Sequence, residues 1–195
     1  MALSIFPIIL AIFFLLALLA VPTSQHQLHQ QNHQAHSGGG GLKSLHFTLY
    51  LQETFNKTAY FIVKGVAGPS GITTTSNPFG SLFAFNDPLT ETPDPSSKVI
   101  GYTEGSAVTS SFDGERTTCI SRITLNLKGY KGELLNIGTA HYTQVSELPF
   151  VGGTGDFRFV QGYLTTSVIS VKPPTTCYKL DFHLFWPPFA ALAHY

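Results

Sequence analysis

Hydrophobic and polar residues alternate along much of the chain after position 44. Leu45, Phe47, Leu49 and Leu51 alternate with mostly polar neighbours, which is the pattern of a β-strand with one buried face. Further β-rich runs, separated by turns that contain Gly, Pro, Asn or Asp, predict seven more strands. These strands are expected at residues 60–66, 81–85, 99–110, 117–127, 133–141, 157–171 and 177–186. Their short connections predict an all-β fold, an eight-stranded antiparallel up-and-down β-barrel.

Composition narrows the possible functions. An eight-stranded barrel is either filled by side chains or holds one small ligand. The 195-residue chain has 16 Phe and one Met, which favours an aromatic-lined β domain. Its net charge is zero and only 11% of its residues are charged, so no nucleic-acid partner is expected. The sequence contains no metal-binding or nucleotide-binding motif, and neither a metal nor a cofactor is predicted.

The N-terminal region is predicted to lie outside the barrel. Residues 1–24 begin with a long apolar run and indicate a cleaved secretory signal peptide, with an uncleaved membrane anchor as the alternative. Residues 25–41 are rich in His, Gln and Gly and predict a disordered linker. The spacing of His26, His29, His33 and His36 leaves a weak metal site open, but a solvated spacer is the simpler interpretation. The barrel is expected at residues 42–187, followed by a tail at 188–195.

Three features of the mature chain bear on chemistry. Glu53 continues the parity of the apolar residues of the first strand, so its carboxylate is expected to point into the core. Asn56-Lys57-Thr58 is an N-glycosylation sequon in a predicted turn. Cys119 and Cys177 open the fifth and the eighth predicted strands. In an up-and-down barrel these positions lie at opposite rims, so no disulfide is predicted, although two cysteines in a secreted chain would otherwise suggest one.

Four short segments, in this order, resemble the signature motifs of plant dirigent proteins. They are Phe79-Gly80 with Asn86-Asp87-Pro88-Leu89-Thr90, then Ser97-Lys98-Val99-Ile100-Gly101 with Gly105, then Gly129-Tyr130-Lys131-Gly132, and finally Val151-Gly152-Gly153-Thr154-Gly155 with Phe157-Arg158 and Gly162-Tyr163. The resemblance spans roughly residues 43–186. It implies a barrel with a ligand cavity, a homotrimer and an extracellular location in the apoplast or cell wall.

The resemblance also implies a function. In this family a separate oxidase of the laccase or peroxidase type makes phenoxy radicals, and the barrel directs their stereoselective coupling, as in lignan biosynthesis. Some members instead cyclise or dehydrate a preformed phenolic scaffold, and acidic residues protonate a quinone methide intermediate. No cofactor is implied. A non-catalytic apoplastic or defence-response binding module and a cell-wall structural trimer are the alternatives.

Carried onto this sequence, the resemblance selects two groups of residues. Glu53 and Asp156 are expected to be catalytic acids at strand ends that face the interior, although Asp156 could equally cap the glycine turn. The expected substrate-binding residues are Asp87, Tyr102, Arg158 and Gln161. Tyr102 and Gln161 stand where the family has Arg, and Ala107 stands where it has Tyr. These departures predict a cavity with less positive charge than in lignan-forming members.

Overall fold

Nine antiparallel strands run through the part of the chain that the computed structural model describes, residues 43–66 and 77–193. The predicted signal peptide, the His-rich linker and the weak metal site lie outside the described residues. Neither short 3₁₀ helix of the described part is long and apolar enough to cross a membrane. The strands are β1 (Lys43–Thr54), β2 (Ala59–Val63), β3 (Leu82–Thr90), β4 (Val99–Thr109), β5 (Arg116–Leu127), β6 (Tyr130–His141), β7 (Ser146–Gly153), β8 (Gln161–Lys172) and β9 (Thr175–Trp186), and the 3₁₀ helices are Gly155–Phe157 and Pro188–Ala193.

The strands close into a barrel through β1. Neighbouring strands follow the order β1-β9-β8-β7-β6-β5-β4-β3-β2, and β1 also pairs with the end of β3, where Tyr50 lies opposite Thr90. The other half of β3 pairs with β2, where Ala59 lies opposite Phe85. Because β1 and β2 both run antiparallel to β3, they act as one strand broken at residues 55–58. The predicted eight-stranded antiparallel barrel is therefore confirmed.

Two of the predicted strands are placed differently in the structure. The predicted strand at 157–171 is β8 alone, and a separate strand, β7, precedes it and pairs with β6 and β8. The predicted third strand does not stop before Asp87-Pro88 but runs on to Thr90. Asn86 donates its N–H to the carbonyl of Thr58, so the nitrogen of Pro88, two residues on, faces the same edge. That edge is the gap between β2 and β1, where a missing N–H breaks no ladder bond.

The additional strand changes the position of the two cysteines. Cys119 of β5 and Cys177 of β9 lie four strands apart in either direction around the barrel. Both strands therefore begin at the same rim, and the two cysteines lie near that rim on opposite walls. The expectation that they lie at opposite rims was wrong, because β7 was not anticipated. Cys119 faces the interior, whereas Cys177 faces outward and its sulfur contacts the carbonyl of Pro93. Both are free thiols.

The interior is packed at one end only. Phe157, Phe182, Leu184 and Trp186 are buried at the rim where β9 ends, and Tyr130 packs against them. The half of the barrel at the other rim is not filled by side chains and encloses the space described next.

Candidate active site

A cavity of about 590 Å³ lies inside the half of the barrel where β1 ends and β5 and β9 begin. This volume is in the usual range for small-molecule sites. Strand alternation supplies its walls, since every second residue of each strand points inward. The apolar lining includes Leu51, Phe83, Phe85, Ile123, Leu148, Leu164 and Leu180.

Small inward residues keep this half of the barrel open. Ala107 of β4, Ser121 of β5 and Ala140 of β6 all line the cavity, at positions where larger side chains would fill it. Ala107 is the position where the dirigent motif usually has Tyr, so the departure noted in the sequence enlarges the interior. Tyr102 is even-numbered on the same strand and therefore faces outward.

Glu53 reaches the cavity from the end of β1, as its parity predicts. Burial raises the pKa of its carboxyl above the ordinary value of 4.5. A hydrogen bond from the Tyr178 hydroxyl opposes this effect in part, because it stabilises the carboxylate.

Asp87 is the second acid of the cavity and is only 1% exposed. Burial, opposed by a hydrogen bond from Thr58 and reinforced by the charge on Glu53, raises the pKa of Asp87 from 3.8 to about 7. One carboxyl oxygen, Oδ1, has no hydrogen-bond partner. The negative charge on Glu53 is the smallest of these effects, and burial is the main reason that Asp87 holds its proton more tightly.

Further polar groups complete the lining. The Asn77 amide donates to the Tyr142 hydroxyl at 2.9 Å, and His141 accepts the N–H of Thr143 at its Nδ1, 3.2 Å away. Burial, aided by the charge on Glu53, raises the pKa of Tyr142 above 10 and that of Tyr178 well above it. No cluster of three or more potential metal ligands occurs among the described residues. Because two of its lining residues are carboxylic acids with raised pKa values, the cavity is suited to proton transfer to and from a bound molecule.

Neither the strand pattern nor the motifs indicated that these tyrosines, His141 or Asn77 belong to the site. Tyr178 could have been identified, because it shares the inward parity of Leu180 and Phe182 on β9. Tyr142 and Asn77 lie outside the strands, and only tertiary contacts bring them to the cavity.

The structure does not bring Asp156 into the cavity. Asp156 lies beyond the end of β7, at the opposite end of the barrel, and its side chain is exposed. Its Oδ2 accepts the N–H of Lys131 at 2.7 Å, which ties the 3₁₀ helix to the start of β6. The expectation that Asp156 faces the interior was wrong, and the turn-capping alternative describes its contacts.

Three of the predicted substrate-binding residues also lie elsewhere. Tyr102 is half exposed on the outer wall, in a shallow depression shared with Asn86, Glu104 and Thr124. Arg158 and Gln161 are exposed beside the 3₁₀ helix at the closed end. These residues do occupy the motif positions, but strand parity turns Tyr102 outward. The unanticipated strand β7 places Arg158 and Gln161 at the end of the barrel away from the cavity. Of the predicted group, only Asp87 lines the cavity.

Asn56 lies in the exposed turn between β1 and β2, with a positive φ of 61° that Asn tolerates better than most residues. Its neighbours Phe55 and Ala59 line the cavity. Glycosylation of Asn56 stays a prediction, and a glycan there would stand at the rim of the cavity.

Fold and site together define a closed antiparallel β-barrel with a ligand-sized, largely apolar cavity lined by two acids. Residues 44–185 match the family model described as dirigent-like protein, and the chain belongs to the dirigent family. It is 32% identical to dirigent protein 1 from Arabidopsis thaliana over 123 residues, 62% of this chain and 67% of that protein. It is 32% identical to pterocarpan synthase 1 from Glycyrrhiza echinata over 130 residues, 65% of this chain and 68% of that protein.

A solved structure agrees with these matches. The pterocarpan synthase dirigent protein PsPTS1 superposes with a TM-score of 0.64 at 25% sequence identity, covering 74% of this chain and 96% of that one. The similarity extends over nearly the whole of that structure, and so the barrel described here is the dirigent fold.

Proposed function

We propose that this protein binds a phenolic compound in its cavity and directs the stereochemistry of a reaction that passes through a quinone methide. The observation that carries the proposal is the pair of acids, half-buried Glu53 and fully buried Asp87, that lines an otherwise largely apolar cavity. A carboxylic acid that keeps its proton near neutral pH is a competent proton donor.

The chemical step follows from the two acids. The carboxylic acid of Asp87 gives its proton to the carbonyl oxygen of the quinone methide, which becomes a phenol. The exocyclic carbon, now more electrophilic, is attacked by a hydroxyl group of the same ligand, and a C–O bond forms. The proton of that hydroxyl passes to the Glu53 carboxylate or back to Asp87, so no oxidant is consumed. The cavity wall holds the ring on one face and thereby fixes the configuration of the new centre.

Two routes supply such an intermediate. In the first, a separate oxidase of the laccase or peroxidase type makes phenoxy radicals, and their coupling gives the quinone methide. In the second, a preformed phenolic scaffold loses water, which is the reaction class suggested by the similarity to proteins named pterocarpan synthase. The acid pair serves both routes, and the second needs no radical to enter the barrel. The alternative of a non-catalytic binding module predicts phenolic affinity without any product bias.

The location and assembly form part of the proposal. We infer a secreted glycoprotein that works as a homotrimer in the apoplast or cell wall. Support for assembly comes from an apolar patch on the outer wall, where Ile120 of β5 and Ile137 of β6 lie side by side and are 52% and 42% exposed. Sedimentation of the purified mature chain tests this point, and replacement of Ile137 by Asp is expected to give monomers.

Chiral product analysis tests the function. Phenolic substrates are reacted with and without an oxidase, in the presence of wild-type protein, Asp87→Asn or Glu53→Gln. The wild type is expected to enrich one enantiomer, and each variant is expected to lose about 10²–10⁴-fold in rate or to lose the enrichment. Glu147→Gln, an exposed outward acid of β7, is the matched control and should behave as wild type. Racemic product with the wild type across a phenol panel contradicts the proposal.

A further inference from the structure

The cavity contains acids and no basic partner of the lysine or arginine type. All eleven Lys and Arg residues of the chain lie within the described residues, because residues 1–42, 67–76 and 194–195 contain none. None of these eleven side chains lines the cavity, whereas Glu53 and Asp87 both do. Among the described residues that line the cavity, His141 is the one that could carry a positive charge.

The surroundings of Asp87 indicate which chemical group of a ligand would bind beside it. The Asp87 side chain lines the cavity and is 1% exposed, and its buried Oδ1 atom accepts no hydrogen bond. A buried carboxyl oxygen without a donor is costly, so a ligand that brings a donor gains affinity there. An anionic ligand would instead place a further negative charge beside two acids, and no Lys or Arg would offset it.

The mouth of the cavity is aromatic. Phe55, Phe61 and Phe83 form a row in which neighbouring ring centroids are 5.0 Å and 4.4 Å apart, and all three line the cavity. Aromatic faces attract cations as well as other rings. Rings at the mouth and carboxyl groups in the wall together suit a ligand with an aromatic part and a positively charged end.

We propose that the cavity selects ligands by charge, so that an aromatic compound with a protonated amine binds in preference to the corresponding alcohol, and the corresponding carboxylate is rejected. The ammonium group donates to Asp87 Oδ1 and offsets part of the negative charge of the two acids, while the ring packs against the phenylalanines. The inference rests on the proposed function only for the location of the site, since charge selection holds whether or not a reaction follows.

Three probes that differ in one terminal group test the inference by calorimetric titration of the whole mature chain at pH 8. They are tyramine, tyrosol and 4-hydroxyphenylacetate, which carry an ammonium, a hydroxyl and a carboxylate group on the same phenol. Tyramine is expected to bind at least about tenfold more tightly than 4-hydroxyphenylacetate, with tyrosol between them. In Asp87→Asn the ratio of the affinities for tyramine and 4-hydroxyphenylacetate is expected to fall towards one. Glu147→Gln removes an outward acid near the same rim and should leave this ratio unchanged.

Lowering the pH gives a second readout. At pH 5 both carboxyls hold protons more fully than at pH 8, so the preference for tyramine should shrink. Cys119, Tyr142 and Tyr178, which also line the cavity, remain neutral at pH 8 because burial raises the pKa of each.

Several results would overturn the inference. They are equal or tighter binding of the carboxylate, no binding of tyramine at millimolar concentration, or an unchanged ratio in Asp87→Asn. The outcome is separable from that of the proposed function. Product enrichment without charge selection removes this inference alone, and charge selection with racemic product removes the proposed reaction alone.

Discussion

Replacement of Asp87 by Asn is expected to make the protein more stable at alkaline pH than the wild type. Asp87 is buried in a largely apolar wall, and burial raises its pKa from 3.8 to about 7. In the unfolded chain the same carboxyl ionises near its ordinary pKa. Asn keeps the size and much of the hydrogen bonding of the protonated acid but has no charge to desolvate.

The sign and size of the effect follow from proton linkage. Between pH 4 and pH 7 the folded protein holds a proton on Asp87 that the unfolded chain has lost, so the free energy of unfolding falls as the pH rises through this window. Above about pH 7 the loss is complete. The difference between 3.8 and about 7, at about 1.4 kcal/mol for each pH unit, corresponds to about 4 kcal/mol as an upper value. The Asp87→Asn variant does not lose this free energy of unfolding. A weaker hydrogen bond with Thr58 is expected to reduce its advantage by about 1 kcal/mol.

Urea denaturation of the wild type and Asp87→Asn at pH 4, 6 and 8 provides the measurement. The two proteins should have similar free energies of unfolding at pH 4. At pH 8 the free energy of unfolding of the variant should be higher than that of the wild type by a few kcal/mol. Asp94→Asn is the control. Asp94 is an exposed loop acid whose pKa is lowered by hydrogen bonds from Ser96, so its effect should not vary between pH 6 and pH 8. A difference between wild type and Asp87→Asn that does not change with pH would refute the reasoning.

Three further predictions concern the cavity and the closed end. Ala107→Tyr should fill the cavity and weaken phenol binding by tenfold or more in calorimetry, whereas Val108→Tyr, on the outer face of the same strand, should not. Asp156→Asn should leave product handedness unchanged in chiral chromatography, because its carboxyl contacts only the turn at the closed end. Cys119 in the native protein should react with iodoacetamide about 10²-fold more slowly at pH 8 than a free thiol, by mass spectrometry, because burial raises its pKa to about 11.

The strand pattern was sufficient to predict the fold class and one site residue. Alternation in β1 places Glu53 on the same face as Leu49 and Leu51, and the structure has it lining the cavity. The predicted number of barrel strands, eight, was also right, although the strands that make up this number differ in part from those predicted. One unexpected strand, β7, was offset by the fusion of β1 and β2 into a single broken strand. Local pattern cannot show such a fusion, because it depends on both strands sharing one edge of β3.

The rest of the site depends on tertiary contacts that no local pattern encodes. Asn77 and Tyr142 meet at the rim from segments 65 residues apart. The rise in the pKa of Asp87 needs burial by several strands and the charge on Glu53. A pattern of alternating residues reports which face is buried, but not whether that face meets packed side chains or an open cavity.

Gly153, within the glycine motif of residues 151–155, is explained by the packing at the closed end of the barrel. A β-carbon on Gly153 would lie 2.4 Å from the carbonyl oxygen of Phe157, and one on Gly132 would lie 2.2 Å from that of Thr154. These glycines let the 3₁₀ helix press Phe157, which is fully buried, against Trp186 and Tyr130. Each such buried aromatic contributes about 1.5–3 kcal/mol, and stacked pairs add about 0.5–1.5 kcal/mol. The buried acid Asp87 and the open cavity reduce the stability at the other rim. The motif therefore belongs to the packing that offsets this cost, and the residues suited to proton transfer lie at the opposite end of the barrel.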